Sequence, residues 1–202
     1  FLNEDYYALF PLYNFYFTRD AAVTIGNHAL ICKMANKVRM RESLIMQAIY
    51  KGSGEFACGI IDAYDHSPLN PNLFMEGGDI LIAREDVLLI GNGIRTSSQG
   101  IDFLASRLSA IAPQGHRHII VQQLPHTPES FIHLDMVFTM LDRNKCMVFE
   151  PLILGDNQYQ TIHIIIDNGK IVKISSVANM LTALKGLGMD LEPVVCGGKA
   201  DE

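Results

Sequence analysis

The sequence predicts a mixed α/β fold built from repeated strand–strand–helix–strand (ββαβ) modules. Two observations lead to this prediction. First, 49% of the 202 residues are hydrophobic, which is enough to bury a core. Second, the same order of short apolar runs and one amphipathic helix occurs three times along the chain. A single module cannot cover its own sheet, so we expect the modules to pack in a ring with their helices outside.

The first module spans residues 17–61. Two apolar runs within 17–34 are separated by Gly26-Asn27, which is typical of a β-hairpin. Residues 41–50 place their apolar side chains on one helical face, and residues 56–61 form a further short apolar run. We therefore expect two strands, a helix and a third strand.

The second module repeats this order. Strands are predicted at 79–83 and 87–90, followed by a helix that Ser97 or Ser98 caps and by a strand at 119–121. The third module is assigned to strands at 136–141 and 146–149, an extra apolar run at 162–166, a helix at 177–187 and a strand at 193–196. No low-complexity linker separates the modules, so we expect one domain over residues 1–202.

Composition and charge exclude several classes of partner. The net charge is -6 and no cluster of Lys and Arg occurs, so neither nucleic acid nor an anionic membrane is an expected partner. No apolar run reaches the roughly 18 residues of a membrane span, and no signal-peptide pattern opens the chain, so we expect a cytoplasmic protein. The four widely spaced cysteines contain no CxxC pair, which favours reduced thiols over a zinc cluster or a disulfide framework.

Three short polar motifs occur at equivalent points, at the entrance to the first strand of each module. They are Thr18-Arg19-Asp20, Glu76-Gly77-Gly78-Asp79 and His133-Leu134-Asp135. Each motif alone is typical of an ordinary turn or strand end, since Gly-Gly adopts positive backbone angles at little cost. Because equivalent ends converge in a ring of modules, we expect the motifs to meet at one site. If residues 133–135 are extended, alternation directs His133 and Asp135 into the same pocket.

Carboxylates grouped around a histidine suit a planar cation. A guanidinium presents five N–H donors in a fixed fork that matches carboxylate oxygens, so an arginine-like substrate is the leading hypothesis. Neighbouring carboxylates raise the pKa of a histidine, which suits His133 to protonate leaving ammonia and later to activate water.

Longer runs around these motifs resemble the arginine deiminases. The resemblance is carried by residues 11–20 (PLYNFYFTRD), 76–79 (EGGD), 93–97 (GIRTS) and 133–139 (HLDMVFT). EGGD alone indicates the wider guanidine-modifying superfamily, whereas NFYFTRD together with HLDMVFT indicates the deiminase branch. The resemblance implies a pseudo-symmetric α/β propeller of five ββαβ modules, of which about three are present, so we expect the domain to be incomplete at both ends.

The resemblance also implies an activity. Family members hydrolyse L-arginine to L-citrulline and ammonia through a thiouronium-type intermediate on a cysteine. We expect no cofactor and no metal, and we expect the intact protein to be a homo-oligomer.

The roles of individual residues follow from the matching motif positions. The catalytic candidates are His133 as general acid and base, Asp20 and Asp135 as clasps for the guanidinium, and Glu76 as support for His133 and the substrate. The substrate-binding candidates are Asn14, Arg39 and Arg95 for the carboxylate, Phe17 for the aliphatic stem, and Asp79. Two positions have competing interpretations: Arg39 as an exposed cation near a helix start, and Phe17 as a core residue.

The nucleophilic cysteine of the family lies in a Gly-rich segment near the carboxyl end, and no matching segment occurs here. Cys196, in Cys196-Gly197-Gly198, matches a different family segment, and Cys32, Cys58 and Cys146 lie in apolar runs typical of buried small residues. We therefore expect this chain to be inactive or weakly active by itself.

Three alternatives remain open from the sequence. His133, Asp135 and His163 match the ligand types of a 2-His-1-carboxylate iron site, which predicts metal dependence. A relative that binds arginine or a protein partner without turnover is a non-catalytic alternative. Amidino transfer and dimethylarginine hydrolysis are alternatives within the superfamily.

Overall fold

A computed structural model of the chain describes residues 11–66, 70–111, 116–155 and 159–197. These residues form a mixed α/β structure with three separate β-sheets, of three, five and three strands. None of the sheets closes on itself in the described part of the chain. None of the described helices is long and apolar enough to cross a membrane.

The first module has the predicted order of elements. It contains α1 (Thr18–Ala21), β1 (Ala22–Ile25), β2 (His28–Ile31), α2 (Met40–Gly52) and β3 (Gly59–Asp62). The turn between β1 and β2 falls at Gly26, whose φ of 56° lies in the left-handed region that glycine adopts without strain. The predicted hairpin and helix are confirmed.

The second module also follows the prediction. It contains β4 (Ile80–Arg84), β5 (Val87–Asn92), α3 (Ser98–Ile111) and β6 (His116–Gln123). Ser97 caps α3, since its Oγ accepts a hydrogen bond from the Gly100 amide at 3.1 Å.

The third module contains a short helix and a strand that the sequence did not predict. Its elements are β7 (Phe138–Asp142), β8 (Lys145–Val148), α4 (Glu150–Ile153), β9 (Thr161–Asp167), β10 (Lys170–Val177), α5 (Met180–Gly186) and β11 (Glu192–Val195). The extra apolar run forms β9, but β9 pairs with β6 of the second sheet and continues into β10, a strand that the sequence did not predict. Pairing with β9 covers the edge of β6, which would otherwise present unpaired backbone groups.

The strand pairing repeats in all three modules. The first two strands are antiparallel, and the third strand runs parallel to the second: β1–β2–β3, β4–β5–β6 and β7–β8–β11. A parallel pair needs a crossover connection, which α2, α3 and α5 provide. The repeat inferred from periodicity is therefore a repeat of topology.

The second sheet lies between two apolar cores. Leu88 and Ile90 of β5 face a core shared with the first sheet and α3, whereas Val87 and Leu89 face a core shared with the third sheet and α5. Successive strand residues point to opposite faces, so burial of both faces requires the continuous apolar run of β5.

The three polar motifs lie directly before β1, β4 and β7, as predicted. Each forms a single helical turn: α1 in the first module, and 3₁₀ turns at Gly77–Asp79 and Leu134–Met136 in the others. His133 itself is extended, but the extended conformation predicted for residues 134 and 135 is wrong. Hydrogen bonds from the Met136 and Val137 amides to the carbonyls three residues earlier close this turn.

Candidate active site

The three turns meet and are joined by hydrogen bonds. Arg19 Nε donates to the Gly77 carbonyl at 3.3 Å, and the Leu134 amide donates to Asp79 Oδ1 at 2.9 Å. A cavity of about 340 Å³ opens where they meet. Its walls are formed by Asn14, Phe17, Asp20, Arg39, Arg95, Ile132, His133, Asp135 and Met136. The sequence-predicted site residues all line it except Glu76 and Asp79.

A second cavity of about 690 Å³ lies beside the first, and the two share Met136. The larger cavity is lined mainly by apolar and aromatic side chains, and none of its lining residues is Asp, Glu, Lys, Arg or His. The smaller cavity collects the carboxylates, the guanidinium groups and the imidazole, so its chemistry makes it the candidate site.

Glu76 lies in the wall behind this cavity and is fully buried. Its Oε2 accepts a hydrogen bond from His133 Nε2 at 3.0 Å, and its Oε1 accepts one from the Ala35 amide at 3.1 Å. Burial opposes ionisation, but the bond from His133, the positive charges of His133 and Arg95, and the Ala35 amide outweigh it. The pKa of Glu76 is therefore below its ordinary value.

His133 is the other member of this hydrogen-bonded pair. Burial alone would lower the pKa of its imidazole, but the hydrogen bond to Glu76 and the charges of Asp79 and Asp20 raise the pKa above its ordinary value. Gly78 packs against the ring, because a Cβ at this position would lie 2.6 Å from His133 Nδ1. The second glycine of EGGD therefore makes room for the imidazole.

Asp79 lies beneath the turn that carries His133 and is fully buried. Its Oδ1 accepts the Leu134 amide, and burial raises the pKa of its carboxyl to about 7, against the opposing charge of His133 and hydrogen bonds from Thr96 and Leu134. It does not line the cavity. The geometry connects Asp79 to the backbone next to His133.

Arg39 is buried, with 5% of its surface exposed, so the interpretation of an exposed cation is wrong. Its Nη1 donates to Asp20 Oδ2 at 2.7 Å and lies 3.6 Å from Glu76 Oε2. Its Nε and Nη2 lie 2.9 Å and 2.8 Å from Glu42 Oε2. A guanidinium group of the protein is thus held among the carboxylates of the site.

Glu42 is a residue of this site that sequence reasoning missed. It is fully buried in the first turn of α2 and follows Arg39 by three positions. Residues three apart share one face of a helix, so the Arg-x-x-Glu spacing was the available signal.

The mouth of the cavity carries the remaining predicted residues. Phe17 is 50% exposed and its ring centroid lies 4.1 Å from that of Tyr16, so its interpretation as a core residue is wrong. Arg95 is partly exposed, and its Nη1 lies 3.5 Å from Glu76 Oε1. Asp135 is exposed to solvent, yet partial desolvation of its carboxyl raises its pKa, opposed by the charges of His133 and Arg19.

Three side chains of the site carry atoms of the kind that bind metal ions. One oxygen of Asp20, one of Glu76 and a nitrogen of His133 all lie within 4.8 Å of one another. Arg39 and His133 already direct N–H groups at these oxygens, so the arrangement fits a guanidinium better than a metal ion. The proposed iron site is not formed: in the described residues His163 is not part of this group, and its Nε2 lies 3.0 Å from His118 Nδ1.

No cysteine lines the cavity in the described part of the chain. Cys32 is fully buried, and burial together with the charges of Glu76, Asp20 and Asp79 raises the pKa of its thiol far above the ordinary value. Cys146 is also buried with a raised pKa. Cys58 and Cys196 are partly exposed, so the expectation of burial is not met at Cys58. Gly198 lies outside the described residues.

Known proteins resemble this chain over nearly its whole length. The family model described as arginine deiminase matches residues 2–201. An arginine deiminase of Bacillus thuringiensis subsp. konkukian (strain 97-27) is 35% identical over 98% of this chain and 48% of its own length. One of Staphylococcus aureus (strain JH9) is 31% identical over all of this chain and 49% of its own length. The chain thus spans about half the length of these curated relatives.

Solved structures share the fold at lower identity. The apo structure of ArgZ, an arginine dihydrolase from cyanobacteria, superposes with a TM-score of 0.57 and 18% identity over 90% of this chain and 22% of that chain. The structure of a dimethylarginine dimethylaminohydrolase adduct superposes with a TM-score of 0.50 and 20% identity over 66% of this chain and 47% of that chain. The extent of the family match and the identity to its members establish that this chain belongs to the arginine deiminase family.

Proposed function

We propose that this protein hydrolyses L-arginine to L-citrulline and ammonia through a thiouronium-type intermediate on a cysteine. The observation that carries the proposal is the convergence of Asp20 and His133, which line one small cavity, with Glu76 behind them, the three offering polar atoms within 4.8 Å of one another. A guanidinium carries donors that match these oxygens. The cavity volume of about 340 Å³ suits a small amino acid.

The residues of the cavity form two groups in substrate binding. Asp20 and Asp135 clasp the guanidinium, while Asn14, Arg39 and Arg95 bind the α-carboxylate. Phe17, half exposed at the mouth, packs against the aliphatic stem. Asp20 already accepts a hydrogen bond from the guanidinium of Arg39. When arginine binds, the guanidinium of the substrate replaces that of Arg39 as the partner of Asp20.

His133 moves protons in both halves of the reaction. A thiolate attacks the guanidinium carbon, and the C–N bond breaks as His133 gives its proton to the departing ammonia. His133 then removes a proton from water, which adds to the thiouronium carbon before the C–S bond breaks and citrulline leaves. Glu76 supports the protonated imidazole through the 3.0 Å hydrogen bond, and Asp79 fixes the turn next to His133.

The attacking thiolate is the one group whose position does not follow from the cavity. Cys32 and Cys146 are buried, and Cys58 and Cys196 lie outside the cavity wall. Because the thiolate is the reactive form, raised pKa values make Cys32 and Cys146 poor nucleophiles. We propose that none of these four cysteines is the nucleophile.

We propose that the three ββαβ modules belong to a pseudo-symmetric α/β propeller and that the protein acts in the cytoplasm as a homo-oligomer. L-Arginine is its proposed substrate, without a cofactor or metal.

The test measures both binding of L-arginine, by calorimetry, and release of citrulline and ammonia. We expect L-arginine to bind and Asp135→Asn to weaken binding, whereas Asp102→Asn, which changes an exposed acid on α3, leaves it unchanged. Unchanged affinity in Asp135→Asn would overturn the site assignment. If the unaltered protein releases product and Cys196→Ala does not, Cys196 is the nucleophile. That result would contradict the proposal that none of the four cysteines attacks the substrate.

A further inference from the structure

Glu42 occupies a position that the chemistry above does not use. Its carboxylate is fully buried, although burying a charge is costly unless the group is paired and hydrogen-bonded. Both oxygens have partners: Oε2 accepts from Arg39 at 2.9 Å and 2.8 Å, and Oε1 accepts from the Asn14 amide at 3.2 Å. The carboxylate therefore bridges two residues that line the cavity.

The two residues that Glu42 bridges also contact each other directly. Arg39 Nη2 lies 3.4 Å from the Asn14 carbonyl in hydrogen-bonding geometry, so Arg39, Glu42 and the Asn14 backbone form a closed triangle. The Asn14 carbonyl also accepts from the Phe17 amide at 2.9 Å, which continues the connection into the turn before α1. Two candidate carboxylate-binding residues from separate segments are thus held in one fixed relation.

Glu42 also determines which edge of Arg39 is available. The Nε and Nη2 edge is bound to Glu42, which leaves Nη1 as the edge facing Asp20 and the cavity. A guanidinium is rigid and planar, so fixing one edge fixes the direction of the other. Without the Glu42 charge, the nearest remaining anionic partners for Arg39 are Asp20, at 2.7 Å, and Glu76, at 3.6 Å.

We propose that Glu42 is a positioning residue that sets the selectivity of this site for ligands with an α-carboxylate. It acts through Arg39 and Asn14 and does not touch the substrate. The inference rests on the proposed function, because it assumes that Arg39 and Asn14 bind the carboxylate of arginine.

The experiment compares L-arginine with agmatine, which has the same guanidinium but no carboxylate. Dissociation constants, or KM values where product forms, are measured for the unaltered protein and for Glu42→Gln. Glutamine keeps the shape but replaces one acceptor with a donor facing other donors. We expect Glu42→Gln to weaken L-arginine by about tenfold or more, the scale of a lost charge-assisted hydrogen bond, and agmatine by less than about twofold.

The matched control is Asp62→Asn. Asp62 is also a buried carboxylate with a charged partner, since it accepts from Lys51 at 2.6 Å, but it does not line the cavity. We expect this change to lower thermal stability. The affinities for both ligands should stay within about twofold of those of the unaltered protein, because Asp62 lies outside the cavity.

A double-mutant comparison tests the route through Arg39, even if Glu42→Gln is too unstable to study. Arg39→Met/Glu42→Leu removes both charges of the buried pair, a replacement that proteins often tolerate. We expect the additional loss of L-arginine affinity from Arg39→Met to the double variant to be smaller than the loss of about tenfold expected for Glu42→Gln alone, because only the contact of Glu42 with the Asn14 amide then remains to be removed. An additional loss in the double variant as large as that expected for Glu42→Gln alone would overturn the proposal, as would an equal loss for both ligands in Glu42→Gln. If the unaltered protein binds neither ligand, the proposed function itself fails.

Discussion

His133 Nε2 lies 3.0 Å from Glu76 Oε2, and both side chains are buried at the back of the candidate site. The pair joins the third module to the second across 57 positions of sequence. It stabilises the ionised form of both partners, because the pKa of His133 is raised and that of Glu76 is lowered. The stabilisation is therefore present only between these two titrations.

We predict that Glu76→Gln lowers the pKa of His133. The variant removes the negative charge of Glu76, whose hydrogen bond is the largest favourable contribution to the protonated imidazole, so the imidazole releases its proton at lower pH than in the unaltered protein. The stability that a raised histidine pKa contributes is present at low pH and is lost as pH rises through the folded-state pKa, and this loss shifts to lower pH in the variant. NMR titration of the His133 ring measures the change.

The matched control for this prediction is Glu129→Gln, which changes an exposed acid on the surface. We expect it to leave the His133 titration unchanged. A His133 pKa that is equal in Glu76→Gln and in the unaltered protein would contradict the role assigned to the pair.

We predict that Gly78→Ala damages the site more than the fold. The new methyl group would lie 2.6 Å from His133 Nδ1 and 3.1 Å from Asp20 Oδ1, so both side chains must move. Overpacking of this kind costs about 1 to 3 kcal/mol in the free energy of unfolding. We expect a larger fractional loss of L-arginine affinity, measured by calorimetry, because the displaced groups are those that face the ligand.

Gly52→Ala provides the comparison, since a Cβ at the end of α2 meets no atom within 4 Å. Alanine is the better helix former, so this variant should be neutral or slightly more stable, by up to about 1 kcal/mol. Tight arginine binding by Gly78→Ala would show that the imidazole does not need its present position.

We predict that Asp79 makes stability depend on pH. Its pKa is about 7 in the folded protein, against an ordinary value of 3.8, so ionisation is less favourable in the folded state. For a carboxyl with a raised pKa, stability is lost as pH rises between the two values. Asp79→Asn cannot ionise, so its free energy of unfolding relative to the unaltered protein should increase from about pH 4 to about pH 7.

Chemical denaturation at several pH values measures this difference. Above pH 7 the difference should level off, because the carboxyl is then ionised in both states. A difference that does not vary with pH would mean that Asp79 ionises normally in the folded protein.

We predict that the four cysteines react in two classes. Cys58 and Cys196 are partly exposed, whereas Cys32 and Cys146 are buried with raised pKa values. Because alkylation needs an accessible thiolate, iodoacetamide at mildly alkaline pH should modify only the first pair in the folded protein. Peptide mass spectrometry identifies the sites, and unfolding in denaturant should expose all four. Rapid modification of Cys32 in the folded protein would contradict its assigned burial.

The sequence by itself determined most of the local elements and the positions of the motifs. The hairpin at Gly26, the helix capped by Ser97 and the polar turns before β1, β4 and β7 depend on residues that are close along the chain. Periodicity, turn chemistry and capping act over a few positions, so a single sequence reveals them. The family motifs could be recognised for the same reason.

Only the tertiary structure decided which distant groups meet. The pairing of β9 with β6, the burial of Asp79 beneath His133, and the Arg39 bridge between Asp20 and Glu42 all depend on contacts between separate segments. The sequence indicates that these groups are polar or apolar, but their partners follow from how the modules pack. Burial then changes the electrostatics, because removing water strengthens both the penalty for an isolated charge and the attraction between paired charges.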